Sequence, residues 1–360
     1  MTASFATEEV AASRAGARIV SPAPRSEWEE VLAADPNAVV SQTPAWTDFL
    51  CAFGAYRDTS RLYELAGGRR LVLPMVAARR LPERLRVEGS FPPSWGMGGI
   101  VAPGGVTSED VTAVFDDLAA CLALRISIRP NPLDAEAWRS ARPEGVVAVP
   151  RLAHVLSLEG GFEQVWTDRF AGTARTAVRK AERSGLEVER DTSGRLVPVL
   201  YELFERSLER WARQQHEPPA LARWRGRRRD PVRKFELMAR TLGEACRIWV
   251  ARKDGRAVAA ILVLQGENAH YTRGVMDKDL AGPTRANYLL HKLAIEDACA
   301  AGCRSYQMGE TGPSASLAQF KTRFGALPYA YAEYHLERIP ITALDRRARS
   351  VVKRVVGFRD

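Results

Sequence analysis

Several side chains that could do chemistry are clustered along the chain. Residues 206–234 hold ten cations: Arg206, Arg210, Arg213, Arg223, Arg225, Arg227, Arg228, Arg229, Arg233 and Lys234. Only Glu209, Glu217 and Asp230 oppose them, and Trp211 and Trp224 lie between them. Guanidinium groups neutralise phosphates and aromatic faces stack on unpaired bases, so the segment suits a single-strand nucleic-acid contact. A solvated arginine-rich surface is the alternative. Arg175, Arg179 and Arg183 fall at i, i+4 and i+8, one stripe of a helix, with Glu182 in reach for ordinary ion pairing. Ser94-Trp95-Gly96-Met97-Gly98-Gly99 joins an aromatic ring to glycines that allow close backbone approach to a ligand. Glu310, after Tyr306-Gln307-Met308-Gly309, could bind an ammonium or take its proton if it lies within hydrogen-bond reach.

Other chemistries lack their residues. The histidines (His154, His216, His270, His291, His335) form no i, i+4 ligand pair, and Cys51, Cys121, Cys246, Cys299 and Cys303 are odd in number and dispersed. That argues against a metal site and a disulfide framework, and a reducing cytoplasm is the simplest compartment. No Gly-x-Ser-x-Gly elbow, Walker loop or post-strand Gly-x-Gly-x-x-Gly occurs. No resident cofactor is expected.

The elements that must position these groups follow from composition and periodicity. With 360 residues, 46% hydrophobic and 26% charged, the chain reads as a globular protein of about two domains. Its net charge of +9 favours phosphate-bearing partners. The longest uncharged run, Gly89–Ser108, is too rich in Pro and Gly for a spanning helix, and the N-terminus lacks the pattern of a signal peptide. The pattern predicts a disordered 1–18, a first domain over 19–152, a second over 153–335 and a basic amphipathic tail over 336–360 that could touch RNA or a membrane surface. In the first domain, helices are expected at Ser26–Ala34, Pro44–Phe53 (N-cap Thr43) and Val111–Cys121. A Gly67-Gly68 hairpin and a strand at Arg125–Arg129 complete it. In the second, helices are expected over Phe162–Ser184, Leu196–Gln214, Pro231–Leu242 (N-cap Asp230) and Pro283–Ala301. Lys253-Asp254-Gly255-Arg256 should turn a hairpin. The fold class is α/β (α+β), with mixed sheets flanked by helices and no long coiled-coil arm.

Tyr271–Gly325 runs strand, loop, helix, strand, the order of acyltransferases of the GNAT class, although its loop Ala281-Gly282-Pro283-Thr284-Arg285 has a single glycine. The chain as a whole resembles the FemABX family of aminoacyl-tRNA-dependent transferases and the BioF2-like acyltransferases near them, over roughly residues 30–335. The carriers are Ser41-Gln42-Thr43-Pro44-Ala45-Trp46, Leu71-Val72-Leu73-Pro74, Arg175-Thr176-Ala177-Val178-Arg179-Lys180-Ala181 with Gly185, Tyr306-Gln307-Met308-Gly309, and above all Phe320-Lys321 with Phe324-Gly325.

The resemblance implies two GNAT-like domains in tandem and transfer of an amino acid from charged tRNA to an amine. It places Lys321 where a fixed ammonium would stabilise the oxyanion of ester aminolysis. Glu310 and Tyr271 join it as candidate catalytic residues, with Phe320, Arg273, Trp95, Met97 and Arg129 on the substrate side. Arg225, Arg227, Arg228, Arg229, Trp224, Arg175 and Arg179 become the candidate tRNA contacts. Three features depart from the family. No cation follows Trp46, Arg129-Pro130 stands in place of Asp-Pro, and the Tyr-rich strand reads His270-Tyr271-Thr272-Arg273. These departures argue against a UDP-muropeptide acceptor and leave a lipid-linked cell-wall precursor, a small secondary metabolite or a peptide amine. Two alternatives remain: an acyl-CoA-dependent N-acyltransferase on the same fold, and a non-catalytic RNA- or phosphate-binding module.

Overall fold

The computed structural model describes residues 9–345 apart from 15–16, 55, 83–84, 91–95, 215–216 and 313. The chain forms two compact units, Met1–Leu152 with Tyr329–Ile341, and Ala153–Pro328 with Thr342–Asp360. Most of the strand Leu327–Glu337 thus belongs to unit 1, although it follows the second domain in sequence. Of the basic tail, 346–360 lie outside the described residues.

In unit 1, Glu9–Arg14 pairs antiparallel with Ala17–Ser21, where composition suggested a frayed end. Ala17–Ser21 also pairs with Arg61–Glu64, because Ile19 finds a core against Tyr63, Leu71 and Leu73. Arg61–Glu64 turns through Gly67 and Gly68, both at φ 81°, into Arg70–Leu73. Two successive positive φ values are what that Gly-Gly pair supplies. A second sheet runs Tyr56–Asp58, Val76–Ala78, Val87–Gly89, Arg125–Ile128 and the C-terminal strand, with Val87–Gly89 and Arg125–Ile128 parallel. Helix Pro44–Ala52 is capped as expected, Thr43 Oγ1 accepting from the Trp46 amide. Helix Ser108–Ala119 turns Val111, Val114, Phe115 and Leu118 into the core, where Phe115 meets Trp138 edge-on at 5.5 Å.

Unit 2 is a six-stranded mixed sheet in the order Leu186–Asp191, Cys246–Lys253, Arg256–Gln265, Ala269–Met276, Ser305–Glu310 and the end of Val147–Ser157. Asp254 (φ 51°) and Gly255 (φ 75°) make the two-residue turn, since both can adopt positive φ. Helix Ala286–Ala300 buries Leu290, Ala294, Ile295 and Ala298 against one face of the sheet. Helix Val197–Gln214 packs through Leu200, Leu203 and Phe204.

Three expected helices change. Phe162–Ser184 breaks at Phe170 and Ala171: Val165–Arg169 is a π-turn, and the α-helix restarts at Gly172. Asp230 does not cap Val232–Leu242, because its carboxylate is drawn to cations instead. The helix expected from Pro283 starts at Ala286, after a separate short helix Lys278–Thr284. The longest helix among the described residues has 18 residues, and none is long and apolar enough to cross a membrane.

Candidate functional site

The central feature of unit 2 is a parting of two parallel strands. Ala269–Met276 and Ser305–Glu310 share two pairs, Ala269 with Tyr306 and His270 with Gln307. Each strand carries a bulge just beyond them. Thr272 is an extra residue opposite Leu262 and Val263, and a second extra residue falls between Gln307 and Glu310, where Gly309 takes φ 71°. A bulge bends its strand and strengthens the local twist, so the two strands diverge. Among the described residues the facing backbone groups beyond the last pair have no strand partner, and an extended ligand can lie between them.

Lys321 holds one edge of this split. It sits on helix Ala315–Arg323, N-capped by Ser314, and is 1% exposed. Its ammonium donates to the Gly309 and Glu310 carbonyls, each at 2.8 Å, and to Thr311 Oγ1 at 3.2 Å. All three N–H groups are used, which corrects the expectation of an ammonium free to meet an oxyanion. The lysine caps the carbonyls that the bulge turns out of the ladder. It thereby polarises the two peptide units Gly309–Glu310 and Glu310–Thr311. Burial pushes Lys321 down to about 8, against the pull of the Glu310 charge. Glu310 itself is exposed at the strand end.

Three histidines surround this cation. Thr311 Oγ1, which accepts from Lys321, also lies 2.7 Å from His154 Nδ1. Burial first and the Lys321 charge second lower His154, and the same causes bring His270 to about 4 and His291 to about 3. His270 and His291 are therefore uncharged near neutrality. His291 Nδ1 lies 3.3 Å from the Tyr306 hydroxyl, and His270 Nδ1 is buried without a hydrogen-bond partner among the described residues. The sequence hid these roles, since each histidine was weighed there only as a metal ligand. No group of residues that could hold a metal occurs among those described.

The bulge also separates two residues expected to line one pocket. Tyr271 faces helix Ala286–Ala300, its ring 4.6 Å from His291, and burial pushes its hydroxyl up to about 12. That hydroxyl occupies the space a Cβ on Gly274 would need. Arg273 emerges on the opposite face, over the Phe204 and Phe235 rings, bonded to Asp230 at 3.0 Å. Asp230 also takes Lys234 (2.7 Å) and Arg229 (2.8 Å) and is held down at about 2: Arg273 and Lys234 outweigh its burial. Arg273 is therefore a partly buried ion-pair residue. Phe320 packs between Tyr288 and His291, as a spacer.

The remaining candidates are dispersed. Trp95 lies outside the described residues. Met97, in unit 1, is 4% exposed against Val39, with its carbonyl held by Ser41 Oγ at 2.6 Å and the next carbonyls by Gln42. The stretch is pinned, and Met97 presents no open surface. Arg129 is bound to Glu333 at 2.8 Å. Arg175 donates to the Trp166, Thr167 and Phe170 carbonyls, satisfying the π-turn, whereas Arg179 is exposed. Arg225, Arg227 and Arg229 pair with Glu217, Glu205 and Asp230 on helix Pro219–Arg229 and its neighbours. Arg228 stacks 5.6 Å from the ring of Trp224, itself 58% exposed.

Between Ala269–Met276 and Ala286–Ala300 lies the short helix Lys278–Thr284. The Ala281 amide bonds to the Asp277 carbonyl and the Arg285 amide to that of Gly282, with Arg285 at φ 58°.

Residues 168–322, within unit 2, match the family described as acetyltransferase (GNAT) domain. The chain is similar to the crystal structure of FemX, at 13% identity, 87% of this chain, 96% of that one and a TM-score of 0.65. It is also similar to a tandem GNAT protein from the clavulanic acid biosynthesis pathway (14%, 90% and 99%, TM-score 0.47). The third is L-PGS from Bacillus licheniformis (14%, 93% and 97%, TM-score 0.45). No curated protein sequence matches. The chain shares its fold with FemX.

Proposed function

We propose that the protein transfers an amino acid from aminoacyl-tRNA to the amine of a small-molecule or peptide acceptor, forming an amide. The acceptor nitrogen attacks the ester carbonyl carbon. The C–N bond forms, the bond to the ribose oxygen breaks, that oxygen gains a proton and the amine loses one. Glu310, exposed beside the split, is suited to take the proton, and Tyr271 lines the site. Lys321 acts as a positioning residue whose charge strengthens the peptide dipoles beside the oxyanion. Exposed Trp224, with Arg228 stacked against its ring, suits an RNA-borne donor.

The observation that carries this reading over an acyl-CoA donor is the short helix Lys278–Thr284. Its Ala281 and Arg285 amides are spent on its own carbonyls, which withholds those two donors from a pyrophosphate. The acyl-CoA reading is the one favoured by the description of the matched family. The test supplies a small-molecule cell extract as acceptor pool, with either radiolabelled aminoacyl-tRNA or radiolabelled acetyl-CoA. Label that becomes stable to mild base, and does so only with intact aminoacyl-tRNA, is the expected result. Transfer that survives prior RNase digestion, or that runs from acetyl-CoA alone, overturns it.

A further inference from the structure

One end of the second sheet of unit 1 carries a surface that the transfer step does not use. There Val87, Arg125 and Glu337 stand side by side on three neighbouring strands, Val87 paired with Arg125 and Arg125 with Glu337. At about 4.8 Å per strand the three span roughly 10 Å. Val87 and Arg125 begin their strands and Glu337 ends its own, so three loops meet at this end. Leu85 lies two residues before Val87, Leu122 three before Arg125, and Ile339 two after Glu337. The loops are tied together: the Leu124 amide donates to the Arg86 carbonyl at 2.8 Å, the Arg338 amide to the Leu124 carbonyl at 3.1 Å, and the Arg338 guanidinium to the Cys121 carbonyl at 3.2 Å.

Their large apolar side chains stay in solvent. Leu122 is 58% exposed, Leu85 50% and Ile339 48%, and Leu81, on the same hairpin loop as Leu85, is 43% exposed. A single exposed leucine is ordinary, but here strand register gathers them from three loops into one patch. The charges around them have one sign. Every described charged residue of 79–86, 121–124 and 338–341 is an arginine: Arg79, Arg80, Arg86 and Arg338. The carboxylates on the adjoining strands are already taken, Glu88 by Arg61 (3.0 Å) and Arg86 (2.8 Å), and Glu337 by Arg125 (3.2 Å). Leucines at loop tips rimmed by arginines match a bilayer surface, where the apolar side chains enter the acyl boundary and the guanidinium groups meet lipid phosphates. Beyond Ile339 the sequence adds a second basic and apolar segment, with Arg346, Arg347, Arg349, Lys353 and Arg354 among Val351, Val352, Val355 and Val356.

We propose that this end of unit 1 docks on the surface of a bilayer containing anionic phospholipid. The contact is peripheral, made by loop tips, and it holds whichever donor the transfer step uses.

The test is co-sedimentation of the whole protein at low salt with vesicles of phosphatidylcholine alone and of phosphatidylcholine mixed with phosphatidylglycerol. Binding to the mixed vesicles and not to the neutral ones, weakened by added salt, is expected. Leu85→Gln, Leu122→Gln and Ile339→Gln combined should weaken it at least about tenfold. Arg79→Gln with Arg80→Gln should weaken it on the order of tenfold. All five side chains are exposed, and thermal unfolding checks that the variants keep the fold. Leu327→Gln, exposed in unit 2, should leave binding unchanged. Absence of binding to the mixed vesicles overturns the proposal, as does binding that survives the five substitutions. A wild-type dimer in light scattering that the triple variant turns into a monomer also overturns it, because the patch then belongs to a second copy of the chain.

Discussion

Lys321→Met gives the sharpest separation between a lysine that builds the fold and one that serves the reaction. The side chain is 1% exposed, and burial has brought its ammonium from 10.5 to about 8. At about 1.4 kcal/mol per pH unit, keeping the charge inside costs about 3 kcal/mol, which methionine recovers. Against this, the Gly309 and Glu310 carbonyls lose their donor, at about 1–3 kcal/mol each. The two effects largely cancel, so the variant should stay folded, within about 3 kcal/mol of the wild type. The peptide units beside the oxyanion lose their polarising charge, and kcat/KM should fall on the order of 10²–10³, equivalent to about 3–4 kcal/mol of transition-state stabilisation. Denaturant unfolding and steady-state transfer measured on the same preparation decide the matter. Activity within threefold of wild type would refute the reasoning, and so would an activity loss that merely follows a collapse of stability.

Three further outcomes follow from buried groups. A Cβ at Gly325 would stand 2.5 Å from the Arg169 carbonyl oxygen, at φ 84°, so Gly325→Ala should lower stability by about 3 kcal/mol or more in chemical denaturation. Burial first, and then the Asp35 charge, raise Asp134 to about 7, so the fold prefers its protonated form. That contribution is complete below about pH 4 and is lost as pH rises to about 7. Asp134→Asn should therefore gain stability over the wild type progressively through that window, reaching about 4 kcal/mol, with no gain at pH 4 in thermal unfolding. Asp230→Asn leaves the buried Lys234 and the partly buried Arg273 without their carboxylate and should cost about 3–5 kcal/mol, seen as a lowered denaturation midpoint.

Local chemistry was legible in the sequence wherever neighbours in the chain decide it. Asp254-Gly255 turned its hairpin, Thr43 capped its helix, and the glycine of Phe324-Gly325 marks a backbone approach that only a residue without Cβ permits. The α/β order of unit 2 followed from the same signals. The site was less legible because its geometry is a matter of register. Alternation places Tyr271 and Arg273 together, and the single extra residue at Thr272, visible only against Leu262 and Val263, sends them to opposite faces. Lys321 was found as a residue, yet its partners are two backbone carbonyls and a threonine, which no side-chain motif announces. Likewise, charge counting over 206–234 could not foresee that Glu205, Glu217 and Asp230 neutralise Arg227, Arg225 and Arg229, leaving Arg228 against Trp224.

The most direct measurement is hydrogen–deuterium exchange of the whole protein with a non-hydrolysable, amide-linked aminoacyl-CCA oligonucleotide. If the acyl ester enters between the diverging strands, protection should appear in peptides covering 271–276 and 308–311, and coenzyme A should not reproduce it. Binding that leaves both segments unprotected would contradict the assignment of the reaction to this split.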